Sequence, residues 1–220
     1  MMTADTVAHQ PSFALFTNGA SFACEVLLAL QCRGFYPELL VLPEYPPAAT
    51  PASSTLPQPA NKSQRRLLQL AGNSEIVYAP PAQQEPCARL LQRRAIEFML
   101  VACWPYLIDQ RVINSVINGA LNLHPSLLPR YRGADPIGDQ LKDGARQHGV
   151  SLHLLNPYFD QGDIVAQAEL REPLPPPERT RVERECARLG SALFIDALNG
   201  YDAGWQVTPQ QQPGGVAGQG

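Results

Sequence analysis

The chain has 220 residues, 45% of them hydrophobic, and a formal net charge of -3. This length suits one domain with a substantial apolar core, and the acidic balance argues against broad nucleic-acid binding. The polar start of the chain does not predict a secretion signal, and no apolar run approaches the roughly 18 residues of a membrane span.

The predicted elements alternate between strands and helices. Short apolar runs mark the strands, and helix-spaced apolar residues mark the helices. In chain order they are strand 12–17, helix 22–34, strand 36–43, helix 63–71, strand 75–81, helix 86–96, strand 98–103, helix 109–116, strand 119–124, helix 134–144, strand 149–155, strand 164–170 and helix 178–200. This alternation predicts an α/β fold with a doubly wound, mostly parallel sheet.

The five cysteines are scattered and odd in number. No two of them have the CxxC spacing that is typical of zinc sites, so no metal site is expected. The pattern predicts reduced thiols in a cytoplasmic protein.

The segment NLHPSLLP at 122–129 carries an amide and an imidazole where a strand meets a proline-rich turn. Residues two apart on a strand point to the same face, so Asn122 and His124 converge on one small group. Together they can stabilise the negative charge that develops on a carbonyl oxygen under attack, and the imidazole can exchange a proton. The alternative is that Asn122 caps the turn and His124 is a structural histidine.

Two further polar segments follow predicted strands, WPYLI at 104–108 and NPYFDQGD at 156–163. Ligands of doubly wound sheets bind outside the carboxyl ends of strands, so these segments indicate a site there. The second segment contains Asp160, and a carboxylate near His124 favours the charged form of the ring. No Ser or Cys lies in a nucleophile-elbow pattern, so we expect direct attack on an acyl group by an acceptor nitrogen.

NLHPSLLPRYRGADPI at 122–137, followed by GVSLHLLNPYFDQGDIVAQ at 149–167, resembles the 10-formyltetrahydrofolate-dependent formyltransferases. Their pattern is an Asn-x-His-Pro-Ser-Leu-Leu-Pro segment and an Asp-x-Gly segment after the next strand. We expect an amino-terminal tail at 1–11, a catalytic domain at 12–207 and a low-complexity tail at 208–220, with no carboxyl-terminal accessory domain.

The resemblance implies roles for individual residues. Asn122 would hydrogen-bond the formyl oxygen, charged His124 would stabilise the oxyanion, and Asp160 would set the protonation of His124 and relay the amine proton. The co-substrate, 10-formyltetrahydrofolate, would lie between the 103–108 loop and the 156–160 turn. Its expected contacts are Trp104, Tyr106, Leu107, Ile108, Asn156 and Phe159.

The acceptor amine divides the family into branches. Formylation of glycinamide ribonucleotide uses a Gly-Ser-rich loop after the first strand, of which only Gly19 and Ser21 remain here. Methionyl-tRNA formyltransferases carry a basic loop after the second strand, whereas 44–61 holds no Lys or Arg. We expect a small amine such as a nucleotide-linked amino sugar, with tRNA as the alternative. The expected acceptor contacts are Asn18, Gly19, Arg130 and Arg132, the two arginines either meeting a phosphate or remaining solvated.

Two rival functions stay open, hydrolysis of formyltetrahydrofolate and folate binding by a non-catalytic remnant of the fold. Neither a membrane partner nor a particular oligomeric state is indicated. Three nearby polar residues are interpreted as structural: Asp163 in the turn, His153 in the strand, and His148 at the surface or in a turn.

Overall fold

A seven-stranded sheet forms the centre of the protein. The computed structural model describes residues 10–43, 62–82, 84–170, 178–201 and 204–210, so the predicted loop at 44–61 lies outside the described residues. The strands are β1 (Phe13–Phe16), β2 (Leu39–Pro43), β3 (Glu75–Ala79), β4 (Phe98–Val101), β5 (Gly119–His124), β6 (Gly149–Leu154) and β7 (Ile164–Glu169). The helices are α1 (Ser21–Gln31), α2 (Lys62–Leu70), α3 (Glu85–Arg93), α4 (Gln110–Ile113), α5 (Pro136–Lys142) and α6 (Arg179–Asn199).

The strands lie in the order β3-β2-β1-β4-β5-β6-β7. The first five pair in parallel, whereas β6 pairs antiparallel with both β5 and β7. The predicted α/β fold with a mostly parallel sheet is therefore confirmed. The antiparallel register sets Asn122 opposite His153 and His124 opposite Ser151.

Helices cover both faces of this sheet, so β1, β2 and β4 are buried along their whole length and read as continuous apolar runs. Residues of α1 and α6 form the core on one face, and residues of α3 and α4 form it on the other. Leu121 and Leu123 enter the first of these layers. Because side chains alternate along a strand, Asn122 and His124 lie on the opposite face of β5.

Two residues with left-handed backbone end elements earlier than predicted. Gly34, at a φ of 79°, closes α1 by donating its N–H to the carbonyl of Gln31. Cys103, at a φ of 59°, turns the chain out of β4, and its carbonyl accepts the N–H of Asn18. The predicted helices and strands are otherwise present, with ends that shift by a few residues.

None of the five cysteines, all of which lie in described parts of the chain, forms a disulfide. Among the described helices, none is both long enough and apolar enough to cross a membrane.

Candidate active site

The predicted pair on β5 converges with Asp160. Asn122 Nδ2 donates to Asp160 Oδ1 at 3.3 Å, and His124 Nδ1 lies 3.3 Å from the same oxygen. An amide, an imidazole and a carboxylate therefore meet at one point beside the end of β5.

Asp160 reaches this point from an antiparallel strand. Two of the three polar segments singled out in the sequence follow the parallel strands β4 and β5. The third, at 156–163, follows β6, which runs the opposite way, so this turn has to fold back beside β5. Asp160 adopts a φ of 53° within it, a conformation that costs a non-glycine residue on the order of 1 kcal/mol or more. The surrounding contacts must therefore hold the turn in place.

Both ring nitrogens of His124 face hydrogen-bond acceptors. Nε2 lies 2.7 Å from the backbone carbonyl oxygen of Tyr131, and Nδ1 faces the Asp160 carboxylate. A neutral imidazole has only one N–H, so only the charged ring donates to both partners. Tyr131 presents its carbonyl from a φ of 55°. The site therefore offers an acceptor to each ring nitrogen of His124.

Asp160 is an ionised carboxylate. Its side chain is only 11% exposed, and this burial by itself raises the pKa of the group. The facing His124 ring, through its hydrogen bond and its charge, and the N–H of Gly133 outweigh burial and hold the pKa of Asp160 well below its ordinary value. The Gly133 N–H donates to Oδ2 at 2.9 Å, so each carboxylate oxygen has partners of its own.

His153 also belongs to this cluster. The sequence is interpreted as giving this residue only a structural role. Its Nε2 lies 3.0 Å from Asn122 Nδ2 and 3.8 Å from Asp160 Oδ1. Only the antiparallel register of β5 and β6 brings it there. No sequence motif signals that register, although a histidine in a short apolar strand does stand out.

The predicted folate contacts line one small pocket of about 50 Å³. Ile108 is 8% exposed at the base of the 103–108 loop. Gln84 holds this loop through its side chain, which donates to the Leu107 carbonyl and accepts the N–H of Asp109. The predicted residues that line the pocket are Trp104, Tyr106, Leu107, Ile108, Asn156 and Phe159. Asn122 and Asp160 close its inner end.

A second cavity of about 670 Å³ opens on the other side of the same residues. Its size is in the range of small-molecule sites, roughly 300–1,000 Å³. Trp104, Asn122, Phe159 and Asp160 line both spaces. Of the candidate catalytic groups, Asn122 and Asp160 line both cavities, whereas His124 lines only the large one.

Most of the acceptor contacts predicted from the sequence do not line the large cavity. Asn18 lines the large cavity, but Gly19, Arg130 and Arg132 are not among its described lining residues. The guanidinium of Arg130 lies over the Tyr131 ring at 5.3 Å. Arg132 donates to Gln210 Oε1 at 2.6 and 3.2 Å. The expectation that the two arginines meet a phosphate here is therefore not supported by their positions.

Sequence reasoning missed a charged cluster in the large cavity, formed by Asp135, Arg179 and Glu183. Arg179 donates to both oxygens of Asp135, at 2.7 and 3.2 Å, and to Glu183 Oε1 at 2.9 Å. The hydrogen bond to Asp135 raises the pKa of Arg179, and in return lowers the pKa of Asp135. Two carboxylates outnumber one guanidinium, so this wall carries a net negative charge. The sequence gives no sign that α5 and α6 meet here.

His148 is wrongly interpreted as a surface or turn residue. It immediately precedes β6, and only 5% of the residue is exposed. Its Nδ1 lies 3.1 Å from Gln140 Oε1, and its Nε2 has no hydrogen-bond partner among the described residues. Burial lowers the pKa of His148.

The end of the described chain supports the Asp160 turn. Thr208, which the sequence placed in the tail, exchanges two backbone hydrogen bonds with Ile164, each of 2.8 Å. Gln210 Nε2 donates to the carbonyls of Asp160 and Gly162, at 3.1 and 2.6 Å. The predicted tail therefore begins with residues that contact the candidate site, and residues 211–220 lie outside the described ones.

Comparison with known proteins places this geometry in a family. The Formyl transferase family model matches residues 31–198. Methionyl-tRNA formyltransferase from Chloroflexus aurantiacus is 30% identical over 199 residues, covering 90% of this chain and 61% of that protein. The same enzyme from Rickettsia massiliae is 30% identical over 146 residues, covering 64% of this chain and 47% of that protein. The chain thus spans less than two thirds of the length of these relatives.

Solved structures share the fold. Glycinamide ribonucleotide transformylase 1 from Symbiobacterium toebii matches with a TM-score of 0.65 and 18% identity, over 93% of this chain and 96% of its own. A sugar N-formyltransferase from Shewanella sp FDAARGOS_354 matches with a TM-score of 0.61 and 16% identity, over 94% of this chain and 76% of its own. The structural likeness shows the fold, and the family model shows the family. The chain belongs to the formyl transferase family.

Proposed function

We propose that the protein transfers a formyl group from 10-formyltetrahydrofolate to a primary amine by direct attack. The observation that carries the proposal is the convergence of Asn122 and His124 on Asp160 Oδ1, each at 3.3 Å, in the wall of the large cavity. Family membership supports the donor, and the chemistry of the three side chains supports the transfer.

The reaction makes one carbon–nitrogen bond and breaks another. The lone pair of the acceptor amine attacks the formyl carbon, and the carbonyl oxygen becomes an oxyanion. The Asn122 amide and the charged His124 ring stabilise this oxyanion, since donors fixed in place before the reaction need no reorganisation. When the tetrahedral intermediate collapses, the bond to folate N10 breaks and N10 takes up the proton that the amine loses.

Asp160 acts mainly through its charge. Because its pKa lies well below the ordinary value, the carboxylate stays ionised and holds His124 as an imidazolium. It also lies where it can orient a water molecule that carries the amine proton toward N10. A covalent acyl-enzyme is not needed, and the acceptor nitrogen is the only nucleophile in this scheme.

The folate lies against the residues of the small pocket, whose volume of about 50 Å³ accommodates only part of the molecule, and the acceptor occupies the large cavity. Trp104, Tyr106, Leu107, Ile108, Asn156 and Phe159 surround the donor side. The acceptor is a small molecule such as a nucleotide-linked amino sugar, for which the volume of the large cavity is suitable. The reaction takes place in the cytoplasm, in keeping with cysteines that form no disulfide.

Methionyl-tRNA is the second candidate acceptor, because the relatives at 30% identity are named methionyl-tRNA formyltransferases. Against it, the segment 44–61 contains no Lys or Arg, and neutralisation of phosphates by such residues supplies much of the affinity for nucleic acids. The Asp135–Arg179–Glu183 cluster adds negative charge to the acceptor side, which disfavours the phosphates of either candidate and does not separate them.

Binding of a stable folate tests the donor assignment. We expect 5-formyltetrahydrofolate to bind the wild-type protein with a Kd on the order of micromolar, and Ile108→Asp to lose this binding because it buries a charge in the apolar pocket. Ile117→Asp is the matched control, since Ile117 is 65% exposed and should bind like wild type. A folded wild-type protein that binds no folate would overturn the proposal.

Transfer itself is then measured with 10-formyltetrahydrofolate and a panel of amines. We expect His124→Ala to lower the rate of transfer by about 100-fold or more, as loss of an oxyanion donor typically does, while folate binding is kept. Formate release in the absence of any amine would instead indicate hydrolysis. Folate binding with neither transfer nor hydrolysis would indicate a binding remnant.

A further inference from the structure

The ionisable ring of His153 contacts the side-chain amide of Asn122, a group that the proposed reaction uses. It is the cross-strand partner of Asn122 in the antiparallel pairing of β5 and β6. The residue is buried, with 1% of its surface exposed. The two strands therefore fix the groups that contact the His153 ring, and water does not take their place.

The two partners of His153 fix the position of its proton. Nδ1 lies 2.8 Å from the carbonyl oxygen of Leu154, which can only accept, so Nδ1 carries the hydrogen. Nε2 lies 3.0 Å from Asn122 Nδ2, which can only donate, so Nε2 offers its lone pair. Both contacts are satisfied at once by the neutral ring with its hydrogen on Nδ1.

The orientation of the Asn122 amide agrees with this assignment. The same nitrogen also donates to Asp160 Oδ1 at 3.3 Å. The reversed amide would set its oxygen against that carboxylate, which is unfavourable for two acceptors. The short bond to His153 and the long bond to Asp160 therefore select one amide orientation.

We propose that neutral His153 is a positioning residue that keeps the Asn122 N–H group available to the reacting formyl oxygen. It accepts one amide hydrogen and so prevents rotation of the amide. The other hydrogen, in the longer bond to Asp160, is the one exchanged for the oxyanion. This inference rests on the proposed formyl transfer and adds a residue to it.

A proton on Nε2 would undo the arrangement. The ring could then no longer accept from Asn122, and its nearest described anion is Asp160 Oδ1 at 3.8 Å. His124 Nδ1 already contacts that oxygen at 3.3 Å. Protonated His153 therefore competes with His124 for Asp160 and releases the amide of Asn122.

Two amide substitutions test the roles of the two ring nitrogens of His153 one at a time. His153→Gln places an acceptor near the position of Nε2, keeps the bond from Asn122 and cannot take up a proton. His153→Asn reaches only the position of Nδ1, so it keeps the bond to Leu154 and leaves Asn122 without its acceptor. Both variants introduce an uncharged amide, so they are matched for polarity, and thermal melts together with binding of 5-formyltetrahydrofolate verify their folding.

Transfer rates give the test. We expect His153→Gln to keep its rate within about threefold of wild type. We expect His153→Asn to lower kcat by about tenfold or more, the effect of one lost hydrogen bond in the transition state, with folate affinity kept. An unchanged kcat in His153→Asn, or a loss of kcat in His153→Gln as large as that in His153→Asn, overturns the proposal.

A second measurement does not depend on activity. The nitrogen chemical shifts of the histidine rings report the tautomer directly, and the chain has only 4 histidines, so the His153 signals can be assigned with the two variants. The hydrogen of neutral His153 is expected on Nδ1, and a hydrogen on Nε2 would contradict the inference. If the tautomer is as expected but wild type transfers formyl to no amine, the proposed function has failed and the hydrogen-bond assignment has not.

Discussion

One carboxylate oxygen organises the candidate site at the level of single residues. Oδ1 of Asp160 lies 3.3 Å from both Asn122 Nδ2 and His124 Nδ1, while Oδ2 accepts the N–H of Gly133. Loss of the charge would remove the anion that faces His124 Nδ1. The effect of Asp160 on the reaction should therefore be electrostatic and should exceed that of other carboxylates in the same turn.

Asp160→Asn is expected to lower kcat by about 100-fold or more, in the range found for groups that control proton transfer. The amide keeps the size of the side chain but removes the charge that faces His124. Steady-state rates with 10-formyltetrahydrofolate and an amine acceptor measure the effect. Asp163→Asn in the same turn is the control and should change kcat by less than about threefold. Equal effects of the two substitutions would contradict the role given to Asp160.

The sequence predicts a site residue correctly where a local pattern determines the position of its side chain. Asn122 and His124 share a face because strand geometry has a period of two, and their convergence needed no knowledge of the rest of the chain. The positions of Arg132 and His153 depend instead on which distant groups reach them. Gln210 and the β6 register decide those positions, and neither leaves a mark in the local sequence.

At the level of elements, the turn at 156–163 carries the greatest constraint. It leaves β6, returns beside β5 and enters β7, and Asp160 lies within it at a positive φ. A Cβ added to Gly162 would lie 1.7 Å from the carbonyl oxygen of Leu154. The strand and the turn are therefore in contact at a point where only a glycine fits.

Gly162→Ala is expected to lower the free energy of unfolding by about 1–3 kcal/mol, as overpacking against fixed atoms does. It should also lower transfer, because relief of the collision displaces Asp160. Urea unfolding and steady-state rates measure the two effects. Gly200→Ala is a milder control, since its added Cβ would lie 3.2 Å from the nearest atom, the Asp196 carbonyl oxygen. Wild-type stability in Gly162→Ala would show that the turn can relax.

Strand and helix positions followed from hydrophobic periodicity, since each strand buried on both faces reads as an apolar run. The direction of β6 did not follow from it. A strand buried on both faces has the same composition whether it pairs parallel or antiparallel, so the sequence indicated a mostly parallel sheet without saying which strand is reversed. The Asp135–Arg179–Glu183 cluster was missed for a related reason, since it forms where α5 and α6 pack and neither helix carries a motif.

At the level of the whole molecule, the stability should depend on pH through His148. This histidine is buried between α5 and β6, with Nδ1 against Gln140. Desolvation lowers the pKa of His148 from its ordinary value of 6.5. Below about that pH, the unfolded chain takes up a proton that the folded chain resists, so the folded state loses stability as the pH falls.

His148→Asn should flatten this dependence. The asparagine amide can still donate to Gln140, near the position of Nδ1, but it has no proton to take up in this range. Urea unfolding between about pH 7.5 and 5 should show wild-type stability falling toward acid pH and a smaller fall in the variant. Parallel curves for the two proteins would place the titrating group elsewhere.

The contacts of Gln210 also bear on how the protein comes to be made. Its side chain bonds the carbonyls of Asp160 and Gly162, yet Gln210 is translated 50 residues after Asp160. While the chain is still growing, the turn that carries Asp160 lacks these partners, and α6 has to emerge from the ribosome before they can arrive. A nascent chain can thus form most of the sheet before its Asp160 turn, which also lines the small pocket, is fully held in place.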